Sequence, residues 1–178
     1  MKNIFRVLAI AVLFSSCQET QKIGFIDNSE VINKYEMKID IEERYKLRND
    51  AFTKRMDSIN REFQVEVKAF QLASNKMSQK SAQEKYNELG QRNQQLTQQF
   101  QQDQQVLQQG FSTEIDSVVK KVKSFVEDYG KKNGYTFILG KNEAGSVMYG
   151  QESDDITKII IEALNTAYNS EEETTEEK

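Results

Sequence analysis

Few residues in this chain are equipped for covalent chemistry. Its 178 positions hold one cysteine, Cys17, and no histidine, proline or tryptophan. Without imidazole there is no Ser–His–Asp or Cys–His nucleophile system and no histidine metal site. One cysteine forms neither an internal disulfide nor a cysteine cluster. Asp154 and Asp155 could be nominated as paired carboxylates for acid–base work, yet adjacent acids at a helix start are far more often caps. There is no phosphate-cradling GxxxxGK[ST] loop and no cluster with metal-ligand spacing. The chain therefore reads as a non-enzyme that needs no cofactor and no metal.

The chemistry that remains is at Cys17. Lys2 and Arg6 precede an apolar run from Val7 to Phe14, followed by Ser15 and Ser16. This is the layout of a bacterial secretory signal over residues 1–16, and the run is far shorter than the ~20 residues of a membrane span. Phe14-Ser15-Ser16-Cys17 resembles a lipobox, whose cysteine is acylated and becomes the new N-terminus. Phe14 stands where leucine is commonest. The other reading is a plain signal with an incidental cysteine. The lipoprotein reading is preferred, because a lone thiol serves little purpose in an oxidising envelope. It makes residues 17–21 a lipidated linker and gives the protein a membrane partner.

Composition sets the elements that follow. Hydrophobic residues make up 37% and charged residues 29%, with a net charge of −4. That balance suits long amphipathic helices, as does the absence of proline, which costs a helix interior about 3 kcal/mol. The acidic balance and the export signal argue against nucleic acid as a partner. Lys22–Asp27 reads as a strand, and Asp27 with Glu30 as the cap of a helix. From Tyr35 to Ala73 there is no glycine, and Tyr45, Phe52, Met56, Ile59, Phe63, Phe70 and Met77 recur at a/d-type spacings. Asn49 and Glu66 interrupt that stripe. Ser74-Asn75-Lys76 is the break, and Ser78 or Ser81 caps a second helix. The stripe resumes through Tyr86, Leu89, Leu96, Phe100 and Leu107 to Tyr129, interrupted at Asn93 and Asp103. Steps of four from Asp103 to Ile115 resemble a stutter, and Gly110 within them suggests a bend. Two helices joined by one tight break pack as an antiparallel αα-hairpin over residues 36–129.

Gly130–Asn133 stops the second helix. Gly134–Leu139 and Ser146–Tyr149 read as strands joined by a short hairpin turn. Asp154 or Asp155 caps a last helix, Ile156 to Tyr168, and residues 170–178 read as a disordered acidic tail. The fold class is α+β: a long antiparallel coiled-coil hairpin projecting from a small β-rich head, residues 22–35 and 130–169, with a C-terminal helix. So small a body is marginal alone. Its strands offer apolar faces at Ile23, Phe25, Phe137, Leu139, Val147 and Tyr149, from which oligomerisation through the head follows.

The order of these elements resembles the OmpH/Skp family of periplasmic chaperones. The resembling residues are Lys22–Asp27 with Glu30, Val31 and Ile32, then Val126–Leu139, then Val147-Met148-Tyr149 and Asp154–Thr157. The resemblance implies a homotrimer in the bacterial periplasm. Three heads would meet through Ile23, Phe25, Phe137, Leu139, Val147 and Tyr149, and three hairpins would enclose unfolded outer-membrane proteins without nucleotide. Two departures stand out, since this chain is acidic and carries the lipobox-like cysteine.

An unfolded β-barrel strand exposes alternating apolar residues and aggregates readily. A wall that holds it should offer scattered apolar contacts among polar groups. Phe52, Phe63, Phe70, Met77, Tyr86, Phe100 and Leu107 are candidates for client binding, and most of them are expected to pack one arm on the other. Lys68, Lys76, Lys80, Lys85 and Arg92 form a candidate basic patch at the hairpin tip for acidic clients or anionic lipid. The alternative function is a lipid-anchored coiled-coil scaffold that binds one folded envelope partner.

Overall fold

The computed structural model describes residues 21–143 and 145–176. Strand β1, Ile23–Asp27, leads into helix α1, Asn28–Lys34. The Asp27 carboxylate accepts from the Glu30 N–H at 3.0 Å, the expected cap. Tyr35 leaves helical geometry at ψ 120°, and α2 begins at once, Glu36–Ala73. The backbone groups freed at this break are taken up from the last helix: Asn165 accepts from the Glu36 N–H and donates to the Lys34 carbonyl.

Ser74–Lys76 forms a single 3₁₀ turn, and α3 runs unbroken from Gln79 to Lys132. Ser78 caps it, accepting from the Ser81 N–H. At 1.5 Å per residue the 54 residues of α3 span roughly 80 Å. No bend interrupts the helical hydrogen bonding at Gly110. A Cβ there would stand 2.7 Å from the Tyr45 hydroxyl, so the glycine makes room for a side chain of the facing arm. The helix ends on Asn133, followed by Gly134 at φ +69°, a conformation side-chain-bearing residues rarely adopt.

Strand β2, Phe137–Lys141, pairs with β1 in parallel, Ile23 opposite Phe137 and Phe25 opposite Leu139. Parallel strands need a long crossover, and here the crossover includes the whole hairpin. The third strand expected at Ser146–Tyr149 is not formed. Gly145 at φ +83° and the Asn142 side chain, which accepts from Ser146, hold that segment as an irregular turn. Strand preference expresses packing on neighbouring strands, and this segment packs on none, the two-stranded sheet ending at β2. The far edge of β1 instead takes one bridge, the Ile156 N–H donating to the Phe25 carbonyl at 3.0 Å.

Asp155 caps the last helix, α4, by accepting from the Thr157 N–H. The helix runs from Thr157 to Glu176, beyond the Tyr168 end expected from sequence and into the segment read as a disordered tail. Lys121 meets Glu171 at 3.1 Å, so the first acidic residue of that segment has a cation to lie against. The core gathers where the helices converge on the sheet: Ile26, Val31, Tyr35, Ile41, Val118, Val122, Ile156, Ile160 and Leu164 are buried. Among the described residues no helix is long and apolar enough to cross a membrane.

Candidate functional site

Two surfaces come out of this architecture, one on the sheet and one along the hairpin. The sheet alternates with period two. Gly24 and Ile26 turn inward, with Tyr135 and Ile156 against Gly24. Ile23, Phe137 and Leu139 turn outward and remain 46%, 55% and 45% exposed, with Phe25 half-buried beside them. Four apolar side chains thus share a face; Gly150 lies against the Phe25 ring, and Ile23, Phe137 and Leu139 stay largely open among the described residues. Val147 is half-buried and Tyr149 exposed on the irregular turn beyond β2.

The hairpin arms are pinned by ion pairs at regular steps. Arg44 pairs with Glu114, Arg55 with Asp103, and Glu66 with Arg92. The α2 members advance by eleven residues while their α3 partners retreat by eleven. The third rung has reversed polarity, and Lys85 joins it, meeting Glu66 at 3.1 Å and Glu88 at 2.9 Å. These carboxylates raise the Lys85 pKa, the Glu88 hydrogen bond most. At the base, the Tyr45 hydroxyl donates to Glu114 at 2.8 Å and its ring meets Phe111 edge-on at 5.3 Å. The Glu114 bond, with burial second, raises the Tyr45 pKa above its ordinary 10.0.

This register sorts the residues proposed from sequence. Phe52, Phe63, Phe70, Phe100 and Leu107 are half-buried on the facing stripes of the two arms. Met77 and Tyr86 point outward near the tip, Tyr86 66% exposed. Beyond Tyr45 toward the tip, Leu89 is the one fully buried apolar side chain among the described residues. The tip patch divides as well. Lys85 and Arg92 are tied into the third rung, whereas Lys68, Lys76 and Lys80 form no ion pair among the described residues. Cys17 lies outside the described residues.

Sequence reasoning missed three features. Glu66 and Asp103 were read as gaps in the stripe, but they are rung residues; the eleven-residue spacing of opposite charges was the available signal. Leu47, Val65 and Leu72 stand exposed on α2, Leu72 82% so, and fall off the stripe. Between the first two rungs the arms also part around a crevice of about 570 Å³, lined by Tyr45, Arg48, Phe52, Val106 and Leu107 among others. A second opening of about 360 Å³ shares Tyr45 and Leu107, so the arms are separated there on both sides. Among the described residues no group of three or more His, Cys, Asp or Glu could hold a metal ion.

Comparison with known proteins agrees with this geometry. The family described as Outer membrane protein (OmpH-like) matches residues 22–164. The crystal structure of a candidate outer membrane chaperone (OmpH-like) from Caulobacter crescentus CB15 superposes with a TM-score of 0.74 at 12% identity. The match covers 83% of this chain and 85% of that one, and at such identity it speaks for the fold. No curated protein matches the chain.

Proposed function

Because this chain belongs to the OmpH-like outer membrane protein family, we propose that it is an ATP-independent periplasmic holdase for unfolded outer-membrane proteins. Three copies would join through the outward sheet face, and their hairpins would enclose the client. Cys17 would carry the acyl anchor that keeps the assembly at a membrane.

The observation that carries this reading is the open construction of the arms. A hairpin that merely needed to be stable would bury its stripe. Here the aromatic side chains from Phe52 to Phe70 stay half-buried, and ion pairs share the work of holding the arms together. Half-buried aromatic and methionine side chains accept varied apolar partners, while the surrounding charges and glutamines keep the surface soluble. Each contact is weak, so a client is held without being fixed in one conformation.

The test uses protein with Cys17→Ala, which has no thiol to acylate. It is expected to suppress aggregation of a β-barrel protein diluted from urea, without ATP and near one assembly per client. Wild-type protein in cells is expected to fractionate with membranes and the variant is not. Aggregation that proceeds unchanged over a range of salt and stoichiometry rejects the holdase. Capture of one folded envelope protein, with no effect on unfolded chains, establishes the scaffold reading instead.

A further inference from the structure

We infer that the crevice between the first two ion rungs binds an aromatic side chain of an unfolded client that is flanked by a carboxylate. The inference deepens the holdase reading and rests on it. The crevice opens beside Ala51 on α2, whose methyl adds little bulk, while at Gly110 on α3 the Tyr45 hydroxyl takes up the room a side chain would need. Its volume of about 570 Å³ lies within the roughly 300–1,000 Å³ of small-ligand clefts. Phe52, Val106 and Leu107 give it apolar walls.

Charge selects the occupant. Arg55 lies 5.9 Å from the Phe52 ring centre and is neutralised by Asp103. Arg48 lies 4.9 Å from the centre of the Tyr45 ring and forms no ion pair among the described residues. The lip of an apolar crevice thus holds one uncompensated guanidinium. An aromatic ring fills the space against Phe52 and Leu107, and an adjacent carboxylate meets Arg48. A lysine-flanked ring is repelled, and a purely aliphatic segment leaves Arg48 unmatched. The occupant is an internal aromatic–acidic pair of the client, because an unfolded chain offers many such pairs and one terminus.

Fluorescence anisotropy with the full chain tests this. The probe is a fluorescein-labelled, C-terminally amidated decapeptide in which phenylalanine precedes glutamate, the one acidic residue. Its counterpart carries glutamine there. The glutamate peptide is expected to bind about threefold more tightly, the preference vanishing in Arg48→Gln. Val106→Trp fills the crevice from an exposed position and is expected to weaken both peptides about tenfold. Failure of the wild type to bind, or binding unmoved by both substitutions, overturns the inference. If circular dichroism shows that Val106→Trp disturbs the arms, the Arg48→Gln comparison still decides. Aggregation assays on the same preparations separate the two levels. Suppression without a glutamate preference removes the crevice and keeps the holdase, and a glutamate preference without suppression does the reverse.

Discussion

At the scale of single residues, Tyr45 shows how the arms are joined to the head. Its ring packs on Phe111, its hydroxyl uses the space left by Gly110, and Glu114 accepts a hydrogen bond from that hydroxyl while also pairing with Arg44. A tyrosine that donates to a carboxylate resists ionisation, so its folded pKa lies above the ordinary 10.0. The sign follows: this contribution is full below the unfolded pKa and is lost as pH rises through the folded one. Tyr35 behaves alike, raised first by burial and then by Glu171. Urea unfolding from about pH 9 to 11 should therefore show stability falling, and Tyr45→Phe should fall less steeply than wild type. Parallel declines would mean that the Tyr45–Glu114 bond contributes nothing. Lysines titrate in the same range, but equally in both proteins.

At the scale of elements, the hairpin repeats every eleven residues rather than every seven. Phe52 and Phe63 are eleven apart, as are Leu89, Phe100, Phe111 and Val122, and the ion rungs keep the same step. An eleven-residue repeat is 3.67 residues per turn and keeps its stripe aligned without left-handed coiling. Both repeats are built from steps of three and four, which is why a/d spacing found the helices but read the polar rungs as defects. Local signals were legible where the chemistry is local: the Asp27 and Ser78 caps, the break at Ser74–Lys76, and the stop before Gly134. The third strand was misread because β-prone residues form a strand only where they pack on a neighbour, and the turn between Asn142 and Gly145 leads Ser146–Tyr149 off the sheet. The crevice was illegible because it arises from how side chains of two arms, far apart in sequence, are spaced against each other. The rungs themselves are testable. Arg55→Asp or Asp103→Arg alone sets like charges face to face and should lower the melting temperature. The double reversal should restore most of the loss, with a coupling of about 0.5 kcal/mol, since both side chains are partly solvated. Strictly additive effects would show that the rung does not set the register.

At the scale of the whole molecule, the position of Lys22 matters. Its carbonyl accepts from Thr136 at 2.7 Å and its ammonium donates to the Asn133 carbonyl at 3.1 Å. The chain therefore enters at the C-terminal end of α3, the pole opposite the hairpin tip. With Cys17 acylated as proposed, five linker residues would hold the head within about 17 Å of the membrane and direct the arms away from it. Clients would then meet the mouth of the assembly before its anchor. That geometry needs a closed head, and one chain does not supply it. Two parallel strands are marginal by themselves, and their outer face carries Ile23, Phe25, Phe137 and Leu139. Covering side chains of this size is worth about 1.5–3 kcal/mol each. Phe137→Asp with Leu139→Asp should therefore abolish association. Light scattering is expected to show three chains for the wild type and one for the variant, with helicity retained because neither side chain belongs to the buried core. An unchanged mass would mean that the copies meet elsewhere, and the enclosure proposed for the client would lose its base.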